Sequence, residues 1–92
     1  MNYQIIYTHS YNKKAAKFLK KHPDIKNQYQ KTLKLLEINP QHPSLRLHKL
    51  KGNLHSFYSV SINFTYRITL DFIIDNKKII PLDVGDHDLA YR

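Results

Sequence analysis

An arginine inside an alternating strand and a histidine just beyond the following strand are the residues of this chain best suited to chemistry. From Tyr58 to Ile74 the even positions are Tyr58, Val60, Ile62, Phe64, Tyr66, Ile68, Leu70, Phe72 and Ile74. The odd positions begin Ser59, Ser61, Asn63, Thr65, Arg67, Thr69 and Asp71. Such period-two alternation describes strands with one buried face. If the run folds back over residues 63–65 and again over 75–77, Arg67 lies on the polar face of the middle strand. Its neighbours are then Ser61 on one side and Gly85 on the other, and Gly85 leads directly into Asp86, His87 and Asp88. A guanidinium stays charged at any working pH and offers paired donors to a phosphate. An imidazole moves protons near neutrality.

These are the parts that internal RNA cleavage requires. A 2′-hydroxyl loses a proton, the phosphorane gathers charge, and the departing 5′-oxygen gains a proton. Without a metal, side chains carry the proton transfers and Arg or Lys stabilises the charge. A plainer reading stands beside this one. It makes Arg67 a solvated strand residue paired with Asp71 or Asp83, and His87 a turn residue next to a helix cap at Asp86. In that reading His48 decorates a basic loop, and Tyr91 packs a C-terminal turn onto the sheet.

The elements that must position these residues follow from the same pattern. Both hairpin loops need odd lengths, because a slip of one residue exchanges the faces of a strand. With three-residue loops, Ile62 pairs with Tyr66 and Val60 with Ile68 across the first turn. Across the second, Phe72 pairs with Ile80, Leu70 with Leu82 and Ile68 with Val84. Upstream, residues 3–8 read as a first strand, rich in β-branched and aromatic residues. Ser10 suits a helix N-cap, and Tyr11, Ala15, Phe18 and Leu19 follow at helical spacing. His22-Pro23 ends that helix, since the residue before proline is driven out of helical geometry. Asp24 suits the cap of a second helix with the stripe Ile25, Tyr29, Leu33 and Leu36, ending near Asn39-Pro40. So short a connection predicts an antiparallel helix hairpin. Residues 45–51 form a basic extended segment before a turn at Gly52-Asn53. The expected fold is α+β, with the two N-terminal helices on one face of a small, mainly antiparallel four-stranded sheet.

Ninety-two residues allow one domain, spanning 1–92, with a modest core. The absence of cysteine excludes disulfides and thiolate metal sites. No apolar run approaches the ~20 residues of a membrane span, and the first residues lack the pattern of a signal peptide. A cytoplasmic location and no membrane association are therefore expected. Fifteen Lys plus Arg against seven Asp plus Glu give a formal net charge of +8. Such an excess attracts polyanions, of which nucleic acid is the commonest, although a solvated basic surface or an acidic protein partner fits the charge as well.

Taken together, the order of elements and several motifs resemble the RelE/ParE superfamily of bacterial toxins over essentially the whole chain. The motifs are His48-Lys49-Leu50-Lys51-Gly52, Tyr58-Ser59-Val60-Ser61-Ile62, Tyr66-Arg67-Ile68 and the ending from Val84 through Gly85, Asp86, His87, Asp88, Leu89, Ala90 and Tyr91 to Arg92. The sequence is most similar to the YafQ-like and RelE-like mRNA interferases. The resemblance implies the RelE/ParE-like fold and the role of toxin in a type II toxin–antitoxin system. It also implies a metal-independent endoribonuclease, without cofactor, that cleaves mRNA in the ribosomal A site and so inhibits translation. His87 matches the C-terminal catalytic histidine of the YafQ-like branch, His48 a second histidine of that branch, and Tyr91 the aromatic residue that contacts substrate. Arg67 matches the phosphate-stabilising arginine of the RelE and YoeB branches. Arg46, Lys49 and Lys51, with Ser59 and Ser61, are the expected RNA contacts.

The chain also departs from the family pattern. Ser59 and Ser61 occupy the positions of two family lysines, and Thr65 that of a YafQ-like acidic residue. The expected partner is a small, acidic, partly disordered antitoxin. The alternative within the superfamily is a ParE-type toxin, which inhibits DNA gyrase without nuclease activity.

Overall fold

The computed structural model describes residues 2–50, 57–73 and 76–86. Its elements run β1 (Gln4–Ile5), α1 (His9–Lys21), a 3₁₀ turn (Pro23–Ile25), α2 (Lys26–Ile38), a second 3₁₀ turn (Pro43–Leu45), β2 (His48–Lys49), β3 (Phe57–Ser61), β4 (Tyr66–Ile73) and β5 (Lys78–Asp86). The strands form one sheet in the order β1-β5-β4-β3-β2. All neighbours are antiparallel except β1, which runs parallel to β5. The α+β arrangement is the expected one. The additional strand is β2, where the basic segment pairs His48 with Ser59 and Lys49 with Tyr58.

The helices are amphipathic and share one core with the sheet. Tyr11, Ala15 and Phe18 of α1 and Tyr29 and Leu36 of α2 are buried together with Val60, Ile68, Leu70, Phe72, Ile79 and Val84 of the sheet and Ile62 just beyond β3. Burying each large aliphatic side chain contributes roughly 1.5–3 kcal/mol, so the even-numbered face of β4 accounts for much of the stability. The first helix starts earlier than its sequence suggests, because Thr8 rather than Ser10 is the N-cap and accepts from the Tyr11 amide. It ends at Lys21, just before His22-Pro23, as the proline requires. Asp24 does not cap α2. The chain makes a 3₁₀ turn through Pro23–Ile25 first, and Ile25 occupies the cap position without a side-chain bond.

The β3–β4 register agrees with the parity argument. Val60 opposes Ile68 and Ser61 opposes Arg67. Across β4–β5, Arg67 opposes Gly85 and Ile68 opposes Val84, again as expected, but the register then changes. Leu70 faces Pro81 rather than Leu82, and Phe72 faces Ile79 rather than Ile80, so the expected pairs of Leu70 and Phe72 are corrected by one residue. The cause is a bulge beside Thr69 and Leu70, with Leu82 as the extra residue of β5. Pro81 explains its place, because proline has no N–H for the ladder and is tolerated in sheets at bulges and edges. The slip is matched by four residues, not three, between Ile73 and Lys78. Between bulge and turn, the odd-numbered Ile79 and Pro81 therefore take the buried face.

Inside the core the Tyr11 and Tyr29 hydroxyls hydrogen-bond to each other at 2.8 Å and tie α1 to α2. Burial foremost, and then the neighbouring Tyr29, raises the Tyr11 phenol far above its ordinary value of 10.0. Burial also raises Tyr29, against the opposing effect of its bond to Tyr11. A phenol whose folded-state pKa lies above its unfolded value contributes stability that is complete below pH 10 and is lost as pH rises beyond it. Thermal unfolding followed by circular dichroism should show Tm falling above pH ~10. Tyr11→Phe should cost about 1–3 kcal/mol at neutral pH, because it leaves the Tyr29 hydroxyl without its partner, and should weaken that alkaline loss.

Candidate active site

Directly opposed residues in a sheet point to the same face, and residues two apart on one strand share a face. The row Ser61–Arg67–Gly85 and the row His48–Ser59–Thr69 therefore lie side by side on the face away from the helices. Ideal sheet spacings place the Cα atoms of His48 and Arg67 about 12 Å apart, two strands across and two residues along. The two side chains therefore share one face, on which the His48 Nε2 and one terminal nitrogen of Arg67 are buried. Arg67 is half-buried. It is flanked by a serine and by Gly85, which carries no side chain; one of its terminal nitrogens is buried, and the residue lines a groove at the β3–β4 hairpin.

The orientation of His48 is set locally. Its Nδ1 lies 3.2 Å from the Arg46 carbonyl oxygen. A carbonyl oxygen only accepts, so Nδ1 carries the hydrogen, and the lone pair of the neutral ring resides on Nε2. Arg46 is itself fixed by the 3₁₀ turn before it. The His42 ring accepts from the Ser44 amide at 3.2 Å. The Arg46 amide donates to Pro43 O, also at 3.2 Å. Arg46 then adopts the left-handed conformation, with φ 50°. That turn swings its side chain toward the β3–β4 hairpin.

The hairpin loop is built around Asn63, whose Oδ1 accepts from the amides of Thr65 at 2.9 Å and Tyr66 at 2.8 Å. Phe64 stands at its apex, and the Arg46 guanidinium lies 5.5 Å from the centre of the Phe64 ring. Arg46, Ser61, Phe64 and Arg67 line one open groove of ≈ 590 Å³, with Gln28, Ser44, Ile62 and Asn63. This volume lies within the range of pockets that take small molecules. Among the described residues no carboxylate lines it. A second groove, between α1 and the end of β5, is lined by Lys14, Lys17, Lys21, His22 and Tyr66, but also by Asp83 and Asp86.

The structure thus brings His48, Arg46, Ser61 and Arg67 to one end of the sheet. Lys49 is exposed on the edge strand β2, but it opposes Tyr58 and so has the parity of the helix-bearing face; it does not join them. Ser59 is fully buried in the His48 row, and its hydroxyl has no hydrogen-bond partner among the described residues. Lys51, His87 and Tyr91 lie outside the described residues. The residue that sequence reasoning missed is Phe64. Its signal was an aromatic side chain on the apolar parity of a run but inside the loop that breaks it. Among the described residues no three His, Asp or Glu side chains converge as a metal site would require. No helix among them is long and apolar enough to cross a membrane.

No protein-family model and no curated protein matches the sequence. Solved structures do match. The chain is similar to the Escherichia coli DinJ–YafQ toxin–antitoxin complex at a TM-score of 0.75 and 18% identity, covering 97% of each chain. It is similar to the archaeal RelE–RelB complex of Pyrococcus horikoshii at a TM-score of 0.70 and 19% identity, covering 94% of this chain and 96% of that one. The YoeB/ParE toxin of Agrobacterium tumefaciens follows at a TM-score of 0.72 and 12% identity, covering 91% of this chain and 98% of that one. The fold is that of the RelE/ParE-superfamily toxins, which the sequence resemblance implied.

Proposed function

We propose that this protein is the toxin of a type II toxin–antitoxin pair and a ribosome-dependent endoribonuclease that cleaves mRNA in the A site. The observation that carries this reading is the placement of His48, with its lone pair on Nε2, and Arg67 on the same helix-free face of a RelE/ParE-like sheet. In the proposed mechanism His48 Nε2 takes the proton of the 2′-hydroxyl, and the 2′-oxygen attacks phosphorus. The Arg67 guanidinium stabilises the charge of the phosphorane. His87 gives a proton to the departing 5′-oxygen, and Tyr91 supports the substrate. The products are a 2′,3′-cyclic phosphate and a 5′-hydroxyl. Arg46 and Lys51 hold the RNA backbone through charge, and Ser61 contributes a hydroxyl beside Arg67. No step is assigned to a metal or cofactor, and the enzyme acts in the cytoplasm, where ribosomes are found.

The same basic face suits an acidic antitoxin segment, which would cover the site and silence it. Toxin–antitoxin complexes among the structural neighbours support that partner. The test is toe-printing of mRNA on translating ribosomes with wild-type protein and His87→Ala, run beside a gyrase supercoiling assay. Cleavage at the A site that is lost in the variant is the expected result. Intact mRNA together with inhibited supercoiling would replace this reading with the ParE-type one.

A further inference from the structure

We propose that Phe64 and Arg46 form a stacking platform for one nucleobase of single-stranded RNA, beside the phosphate position of Arg67. The inference rests on the ribonuclease reading for its substrate class, and extends it to a subsite on the β3–β4 hairpin. Phe64 is 88% exposed, against 56% for Ile38 and 44% for Tyr7, the other exposed large apolar side chains among the described residues. An aromatic ring this open contributes little to the core, yet its position is held. The Asn63 side chain caps two amides of the loop that carries it. The Arg46 guanidinium lies over its face at 5.5 Å. Arg46 reaches that place from a left-handed backbone conformation, which disfavours a residue with a Cβ.

The groove continues from this pair to Ser61 and Arg67, and among the described residues it is lined by two guanidiniums and no carboxylate. A nucleotide is the ligand that combines what these groups accept. Its base offers a flat π-surface to Phe64 and Arg46, and its phosphate an anion to Arg67. Gln28 and Ser44 supply hydrogen-bonding groups on the groove wall. The platform would stack any base, so it sets affinity and the register of the strand more than sequence preference.

The test uses the full chain and short single-stranded RNAs carrying 2-aminopurine at successive positions, whose fluorescence is quenched on stacking. Wild-type protein should quench one position most strongly. Phe64→Leu should abolish that quenching and weaken binding about tenfold, Phe64→Trp should restore both, and Arg46→Gln should lower the salt dependence of log Kd by about 0.7. At 88% exposure the ring can be replaced without unfolding the protein, and an unchanged Tm checks this. Quenching and affinity unaltered in Phe64→Leu would overturn the platform while leaving A-site cleavage intact. No binding of single-stranded RNA by wild type would overturn it too. So would unaltered RNA binding accompanied by a lost interaction with an acidic, aromatic-containing peptide, which would assign the patch to a protein. Failure of toe-print cleavage with Phe64-dependent quenching retained would instead remove the ribonuclease reading and keep the platform.

Discussion

Arg67→Ala should lower single-turnover A-site cleavage about 10²- to 10³-fold, the typical effect of deleting one preorganised donor to developing charge. The argument starts from the strand. Alternation forces Arg67 onto the face opposite the core residues Ile68 and Leu70, where it lines a groove together with Ser61 and Arg46. The phosphorane carries more charge than the ground-state phosphodiester, so the loss should fall mainly on kcat, with a smaller change in KM. Arg67→Lys keeps the charge but loses the paired planar donors, and should fall between the two. Rate measurements on programmed ribosomes, with circular dichroism to establish folding, decide the matter. A variant that keeps kcat and only raises KM would make Arg67 a binding residue.

How far the sequence foretold this site depends on the kind of interaction that sets each part. The pairing of Ser61, Arg67 and Gly85 could be read in advance, because parity ties every residue of an alternating run to a face and an odd loop fixes the partner. The same argument failed one strand later, at Leu70 and Phe72, where a bulge and a longer turn offset one another. Pro81 was the available signal, since a proline in an apparently regular strand marks an interruption of the ladder. Thr8 and Ser10 are equivalent caps by residue type, and the start of α1 was decided by which one the Tyr11 amide meets. The Tyr11–Tyr29 bond and the approach of Arg46 to Phe64 have no sequence periodicity at all. The first depends on how two helices cross, and the second on a single left-handed residue after a 3₁₀ turn.

The position of His48 joins both kinds of information. Its type and basic surroundings were visible as sequence, but its register opposite Ser59 and its tautomer came only with the edge strand β2. His48→Ala should reduce cleavage about 10²- to 10⁴-fold, the usual contribution of a general base. The variant His48→Gln separates proton transfer from hydrogen bonding. Its side-chain amide can donate to the Arg46 carbonyl as Nδ1 does, yet it cannot accept a proton, so it should be nearly as slow as alanine. A base must be unprotonated to act, so wild-type kcat should fall toward acid pH, and both variants should lose that acid limb. RNAs with a 2′-deoxy substitution at the cleavage site should resist wild type and variants alike, because the hydroxyl that the proposed base would deprotonate is then missing. A full acid limb surviving in His48→Gln would transfer the role of base to another group on the same face.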